Sequence, residues 1–204
     1  MRIKWITSSV FIALAYGTAT AQITLPRIDV EMKLSQNVIP GNIHDVNNYP
    51  LKAIETTNLD LGAHWQITQH IAVGWVYSNS MRGNGYNTED FKFNFGTGDT
   101  KAQTLFSGLD LRFSTGRSKK WRQYISLTYG KAEVVEDKGS YRLANKTNAI
   151  GGNIGVMLRM GNHLYWNVLE AGMKQFSNKL FWADDGNFMI SIKMGITYNI
   201  GKKK

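Results

Sequence analysis

The sequence predicts an all-β chain closed into an eight-stranded antiparallel up-and-down transmembrane β-barrel with short periplasmic turns and long outer loops. Three observations carry that expectation: an unbroken two-residue alternation from Phe188 to Ile200, a regular succession of short and long connections, and a full absence of cysteine behind an export signal. In the closing stretch Phe188, Ile190, Ile192, Met194, Ile196, Tyr198 and Ile200 make one apolar row, against Met189, Ser191, Lys193, Gly195, Thr197 and Asn199. Successive side chains of a strand point to opposite faces. Soluble strands commonly run about five or six residues, whereas a tilted strand that crosses a bilayer needs about ten, apolar toward lipid and polar toward the lumen.

The chain opens with Arg2 and Lys4, continues through an apolar run from Trp5 to Tyr16, and reaches a small-residue site at Ala19-Thr20-Ala21. That is the pattern of a secretory signal peptide, so residues 1–21 are expected to be removed and 22–204 to form one barrel domain. The run is shorter than the ~20 residues of a spanning helix. Small exported domains usually depend on disulfides; with no cysteine, a closed hydrogen-bonded ladder is expected to hold the fold instead. Three prolines, twenty glycines and 12% aromatics suit an all-β chain with many turns.

Seven further segments alternate before the last. The first shares a phase through Ile28, Val30, Met32 and Leu34, with Asp29, Glu31 and Lys33 between. In the second, Leu59, Leu61, Ala63, Trp65 and Ile67 oppose Asn58, Asp60, Gly62, His64 and Gln66. Ile71, Val73, Trp75 and Tyr77 mark the third, and Leu105, Leu109, Leu111 and Phe113 the fourth, against Gly108, Asp110 and Arg112. The fifth sets Ile125, Leu127 and Tyr129 opposite Tyr124, Ser126, Thr128 and Gly130; the sixth sets Ile150, Ile154, Val156, Leu158 and Met160 opposite Gly151, Asn153, Gly155, Met157 and Arg159. In the seventh, Leu164 to Phe176, neither phase is purely apolar, which predicts a bulge. Thr68-Gln69, Thr115 to Lys120 and Gly161-Asn162-His163 are short links. Ser35 to Ala53, Asn79 to Thr100, Ala132 to Asn148 and Ser177 to Asn187 are long, so all long loops fall at one end. Aromatics collect near both strand ends: Trp65, Phe113, Trp121, Tyr165, Trp166 and Tyr198 at the short turns, Trp75, Tyr77 and Tyr129 at the long loops. Two membrane-interface girdles are expected.

Together these features resemble the small outer-membrane β-barrels of the OmpA/OmpX type, over the whole mature chain and on pattern rather than a signature motif. The resemblance implies the outer membrane of a Gram-negative bacterium, with its lipids and the barrel-assembly machinery as partners. Nothing follows the last strand, so the peptidoglycan-binding domain of full OmpA-like proteins is expected to be missing. The family tends to end on an aromatic residue; here Tyr198 is the candidate, followed by Asn199, Ile200, Gly201 and three lysines.

The formal charge of +9 concentrates in the turn Arg117, Lys119, Lys120 and Arg122 and in the tail Lys202, Lys203 and Lys204. Nucleic acid is excluded as a partner, because the chain is exported and no basic stripe interleaved with aromatics is present. These cations are read as periplasmic contacts to anionic headgroups. On the inward phase, Asp29, Glu31, Asp60, Asp110 and Glu170 face Lys33, Arg112, Arg159 and Lys193. Charges in a narrow lumen are costly unless paired, and eight strands leave a bore just wide enough for side chains. A lumen-filling ion-pair network is therefore expected, with a small-ion pore as the alternative and with Glu31 beside Lys193.

The remaining candidates are weaker. Asp184, Asp185 and Asn187 around Gly186 lack calcium-loop spacing. Phe91, Phe93 and Phe95 fit a hairpin above the membrane or a partner surface. His44 beside Asp45 lacks a serine that sequence can place, so no enzymatic activity, cofactor or metal is expected. Gly83-Asn84-Gly85 and Gly96-Thr97-Gly98 read as turns. The expected role is a non-enzymatic envelope protein that contributes structure or binds an extracellular ligand through its loops. The rival in another class is a secreted lipocalin-like carrier, disfavoured by charge on the inner face and by the absence of an early Gly-x-Trp.

Overall fold

A computed structural model describes residues 27–44, 50–87, 100–115, 120–137, 142–177 and 188–201. Eight strands follow one another: β1 (Arg27–His44), β2 (Pro50–Gln66), β3 (Ile71–Asn87), β4 (Thr100–Ser114), β5 (Trp121–Asp137), β6 (Arg142–Arg159), β7 (Leu164–Phe176) and β8 (Phe188–Ile200). Each pairs antiparallel with its successor, and β8 returns to β1 to close the barrel. The closing seam runs from Ile28↔Ile200 to Val38↔Ile190 without a register shift. Closure leaves no row of unpaired backbone groups, which is what a sheet in hydrocarbon requires.

Residue alternation sorts the side chains to two faces as expected. Leu34 is 52% exposed, Ile154 61% and Ile192 54%, while Glu31, Lys193 and Asp110 are buried. The apolar side chains are thus on the outside, around the whole circumference. In water such a surface would drive association; against lipid it is the stable arrangement.

The long connections differ from expectation. Much of Ser35 to Ala53, Asn79 to Thr100 and Ala132 to Asn148 is strand: β1 runs on to His44, β3 to Asn87 and β5 to Asp137. The ladder continues past the apolar belt because backbone pairing needs no apolar face, so alternation of hydrophobicity fades before the strand does. Gly83-Asn84-Gly85 accordingly lies within β3, beside a register shift between Asn79 and Asn84, and is not a turn. Another shift separates Pro40 from Ile43, where a bulge accommodates a proline that cannot donate to the ladder.

The bulge expected in β7 is present, with register shifts at Val156/Met157 on one side and Asn167/Glu170 on the other. Burial passes from Tyr165 and Asn167 to Glu170, Lys174 and Phe176 across it, so the inward phase changes parity at Val168. At the short-turn end Thr68 Oγ1 accepts from the His70 and Ile71 amides at 3.1 and 3.0 Å. The His70 and His163 rings donate from Nδ1 to Ser114 O and Asn199 O, each at 2.9 Å, tying neighbouring strand ends together.

Candidate functional site

The interior is stacked in layers, each supplied by inward positions of several strands. Nearest the short turns, Asp29 accepts from Gln66 Nε2 at 2.5 Å and from Asn199 Nδ2, with Arg122 Nη1 at 3.3 Å. Arg122 is fully buried. Its expected place among the headgroup contacts is therefore corrected: it shares the even-numbered phase of Tyr124, Ser126 and Thr128, and that phase turns it inward. Lys120 is exposed, whereas Arg117, Lys119 and Lys202 to Lys204 lie outside the described residues.

The middle layer is the densest. Arg112 grips Glu31 with both terminal nitrogens, Nη1 to Oε1 and Nη2 to Oε2, the latter at 3.1 Å. Lys33 Nζ stands 2.6 Å from Glu31 Oε2 and 2.6 Å from Glu170 Oε2, bridging the two carboxylates. Tyr124 donates its hydroxyl to Glu170, and the Arg112 guanidinium lies 4.4 Å from the centre of the Tyr124 ring. His64 Nε2 donates to Asp110 Oδ2 at 2.8 Å. Lys193 Nζ reaches Glu170 Oε1 at 3.0 Å and Asp60 Oδ2 at 3.3 Å. Charge-assisted contacts of this kind are the short, strong ones.

Asp60 Oδ1 accepts from Ser35 Oγ at 3.1 Å and Ser78 Oγ at 2.5 Å. Asn58 donates to Ser78 Oγ at 3.0 Å and Thr104 Oγ1 at 2.9 Å, forming an uncharged polar layer. Toward the outer end the interior turns apolar: Ile39, Ile54, Phe106, Val134, Phe176 and Met189 are all buried together. Lys174 stands at the boundary, its Nζ 4.2 Å from the Phe106 ring centre.

Eight of the nine expected lumen residues are inside. Arg159 is the exception: it sits half-buried at the strand end, and its Nε donates to Gly161 O at 3.0 Å. It has the inward phase but lies beyond the last enclosed layer. Arg122 and Lys174 take its place, giving five cations for the five expected carboxylates. Lys174 shares the even phase of Glu170, and Arg122 and His64 share the inward phases of their strands, so all three were legible from phase. Glu31 and Lys193, expected beside each other, both face inward; their seam partners are Thr197 and Ser35, four positions apart, and they are linked through Lys33 and Glu170.

Between the layers a void of about 30 Å³ is lined by Asp110, Thr128, Asn153 and Lys174, among others. Asp110 Oδ1, Thr128 Oγ1 and Asn153 Oδ1 are buried without protein partners. The void has room for a water or two, which would satisfy them. On the outside, Trp65, Trp75, Tyr77, Phe113, Trp121, Tyr129, Trp166 and Tyr198 are all exposed. Tyr165 is not among them; it is buried against Tyr124 and Met157. His44 ends β1, but its side chain, like Phe91, Phe93, Phe95, Asp184, Asp185, Asn187 and residues 1–21, falls outside the described residues.

A closed eight-strand barrel, apolar outside and ionic within, defines a small integral β-barrel of outer-membrane type. Comparison with solved structures gives the same fold. Neisserial surface protein A superposes with a TM-score of 0.58 at 9% identity, over 86% of this chain and 97% of that one. The attachment invasion locus protein Ail of Yersinia pestis, in complex with the heparin analogue sucrose octasulfate, gives 0.53 at 11%, over 86% and 99%. OprG of Pseudomonas aeruginosa gives 0.53 at 12%, over 88% and 98%. No protein-family model and no curated protein matches the sequence.

Proposed function

We propose that this is a non-enzymatic integral protein of the Gram-negative outer membrane, plugged by its own side chains, which acts through the envelope structure it provides and the loops it displays. The interior stacking carries this reading: ion pairs, hydroxyls and an apolar cap succeed one another along the axis. A permeant ion would have to displace paired charges and then cross the layer of Ile39, Phe106 and Phe176. The same charged interior argues against an apolar cargo of the lipocalin kind.

The strand extensions support a role for the outer loops. β5 runs eight residues past Tyr129 to Asp137, roughly 25 Å of extended chain, so the loops stand on a rigid ladder above the girdle. Attachment is what the name of the Yersinia pestis neighbour describes for that protein. The barrel-assembly machinery is the further partner.

Planar-bilayer recording with the purified, folded protein tests the plug. No discrete conductance steps are expected; steady steps in every insertion would overturn the reading in favour of a small-ion pore. Release of the protein into the aqueous fraction without detergent would overturn the membrane assignment. Lipid-modifying activity that is lost on His44→Ala would overturn the non-enzymatic one.

A further inference from the structure

On the outer wall, the lipid-facing belt changes character just beyond the outer girdle. Leu109, Tyr129 and Ile150 stand side by side on β4, β5 and β6, all more than half exposed. One level outward the same three strands present Ser107, Lys131 and Asn148, and the level after that pairs Glu133 with Lys146. Together with Leu105, Ala132 and Thr147 these polar residues line one open groove of about 480 Å³.

Several features make the groove complementary to an anion. Lys131 and Lys146 are exposed, and the Lys146 side chain is 78% accessible, held only loosely by Glu133 at 3.9 Å. Trp75 Nε1 donates to Ser107 Oγ at 3.0 Å, which leaves the hydroxyl proton of Ser107 free for an acceptor. Asn148 adds amide donors. Leu105 gives the groove an apolar wall, and one strand level beneath it, outside its lining, stand Leu109, Tyr129 and Ile150. A charged mouth over an apolar floor fits an amphiphile better than a free ion, because the headgroup and the chain are satisfied in one pose.

We propose that this groove binds the phosphate-bearing headgroup of an outer-leaflet lipid, with Lys131 and Lys146 on the phosphate and the acyl chain against Leu109, Tyr129 and Ile150. The site rests on the reading that the strands span the outer membrane with their long connections outward, since only that orientation sets the groove at the outer headgroup level. Glu133 opposes the ligand and weakens it.

Native mass spectrometry of the full chain in neutral detergent, titrated with lipid A and with the same lipid stripped of its phosphates, tests the proposal. Retention of lipid A over the stripped form is expected, with binding reduced on the order of 20-fold in Lys131→Ala/Lys146→Ala. The conservative pair Lys131→Arg/Lys146→Arg should keep binding, which separates loss of charge from loss of fold. Glu133→Gln should tighten it several-fold, an effect no merely structural role of Glu133 would produce. Equal binding of the two lipids, an unaffected alanine pair, or displacement of lipid A by an equal concentration of inorganic phosphate would overturn the site. Fractionation is the independent arm: a chain absent from the outer membrane that still prefers lipid A removes the location and keeps the groove, whereas a resident chain with no preference does the reverse.

Discussion

Arg112 is the side chain on which the ionic interior turns, because its two terminal nitrogens hold Glu31 and its guanidinium covers the Tyr124 ring. Removing one member of a buried pair strands the other charge, at about 3–5 kcal/mol. Arg112→Met is therefore expected to lower the unfolding free energy, read from urea titration in micelles, by that much. Glu31→Gln added to it should recover part of the loss, since the stranded carboxylate is gone. Gly155 presents a second, steric case. A Cβ there would lie 2.5 Å from both Cζ and the hydroxyl oxygen of Tyr124, whose hydroxyl is fixed by Glu170. Gly155→Ala should cost about 1–3 kcal/mol by overpacking, measured by the same titration and relieved by Tyr124→Leu. The charged partners themselves were readable as residues on the inward phase. Their pairing was not, because Lys33 meets Glu170 across 137 positions of sequence, and spacing along a strand says nothing of which side chains cross the bore.

At the scale of the strand, β7 shows how one residue controls a face. Val168 is the step at which inward positions pass from odd to even numbers, and it keeps Tyr165 and Asn167 inside together with Glu170 and Lys174. A slip of one residue sends every side chain beyond it to the other face. Deletion of Val168 would remove the extra residue and leave a regular alternation with all four still inside, whereas deletion of Ala171 would turn either Glu170 or Lys174 and Phe176 toward lipid. The expected outcome of the Ala171 deletion is failure to insert into lipid vesicles, read as protein left accessible to added protease. The mixed phases of β7 announced an irregularity in the sequence, yet not its position, since either half of the strand reads as regular alone. β8 is the opposite case: its alternation is complete, and its seam with β1 pairs without a shift. Strand ends were less legible than strand centres, as β1, β3 and β5 outrun their hydrophobic alternation and continue on backbone pairing alone.

For the whole molecule, closure is the property that unites belt and interior. A barrel without an edge should protect the β1–β8 seam as well as any other pair of strands. Amide hydrogen exchange in micelles is expected to give Met32, Leu34, Met194 and Ile196 protection equal to that of Leu109, Leu111, Leu127 and Tyr129 in the β4–β5 pair; a fast-exchanging seam would mean an open sheet. By itself the sequence determined the strand centres, the sense of facing, the closed all-β class and most of the charged inner row, because each follows from a period of two and from the cost of leaving a charge unpaired. Tertiary structure decided which charges meet, that Arg159 stays at the rim although its phase is inward, and that an apolar cap succeeds the ionic layers. Those outcomes depend on how far each strand is staggered around the cylinder, and stagger is set by the packing of all eight strands at once.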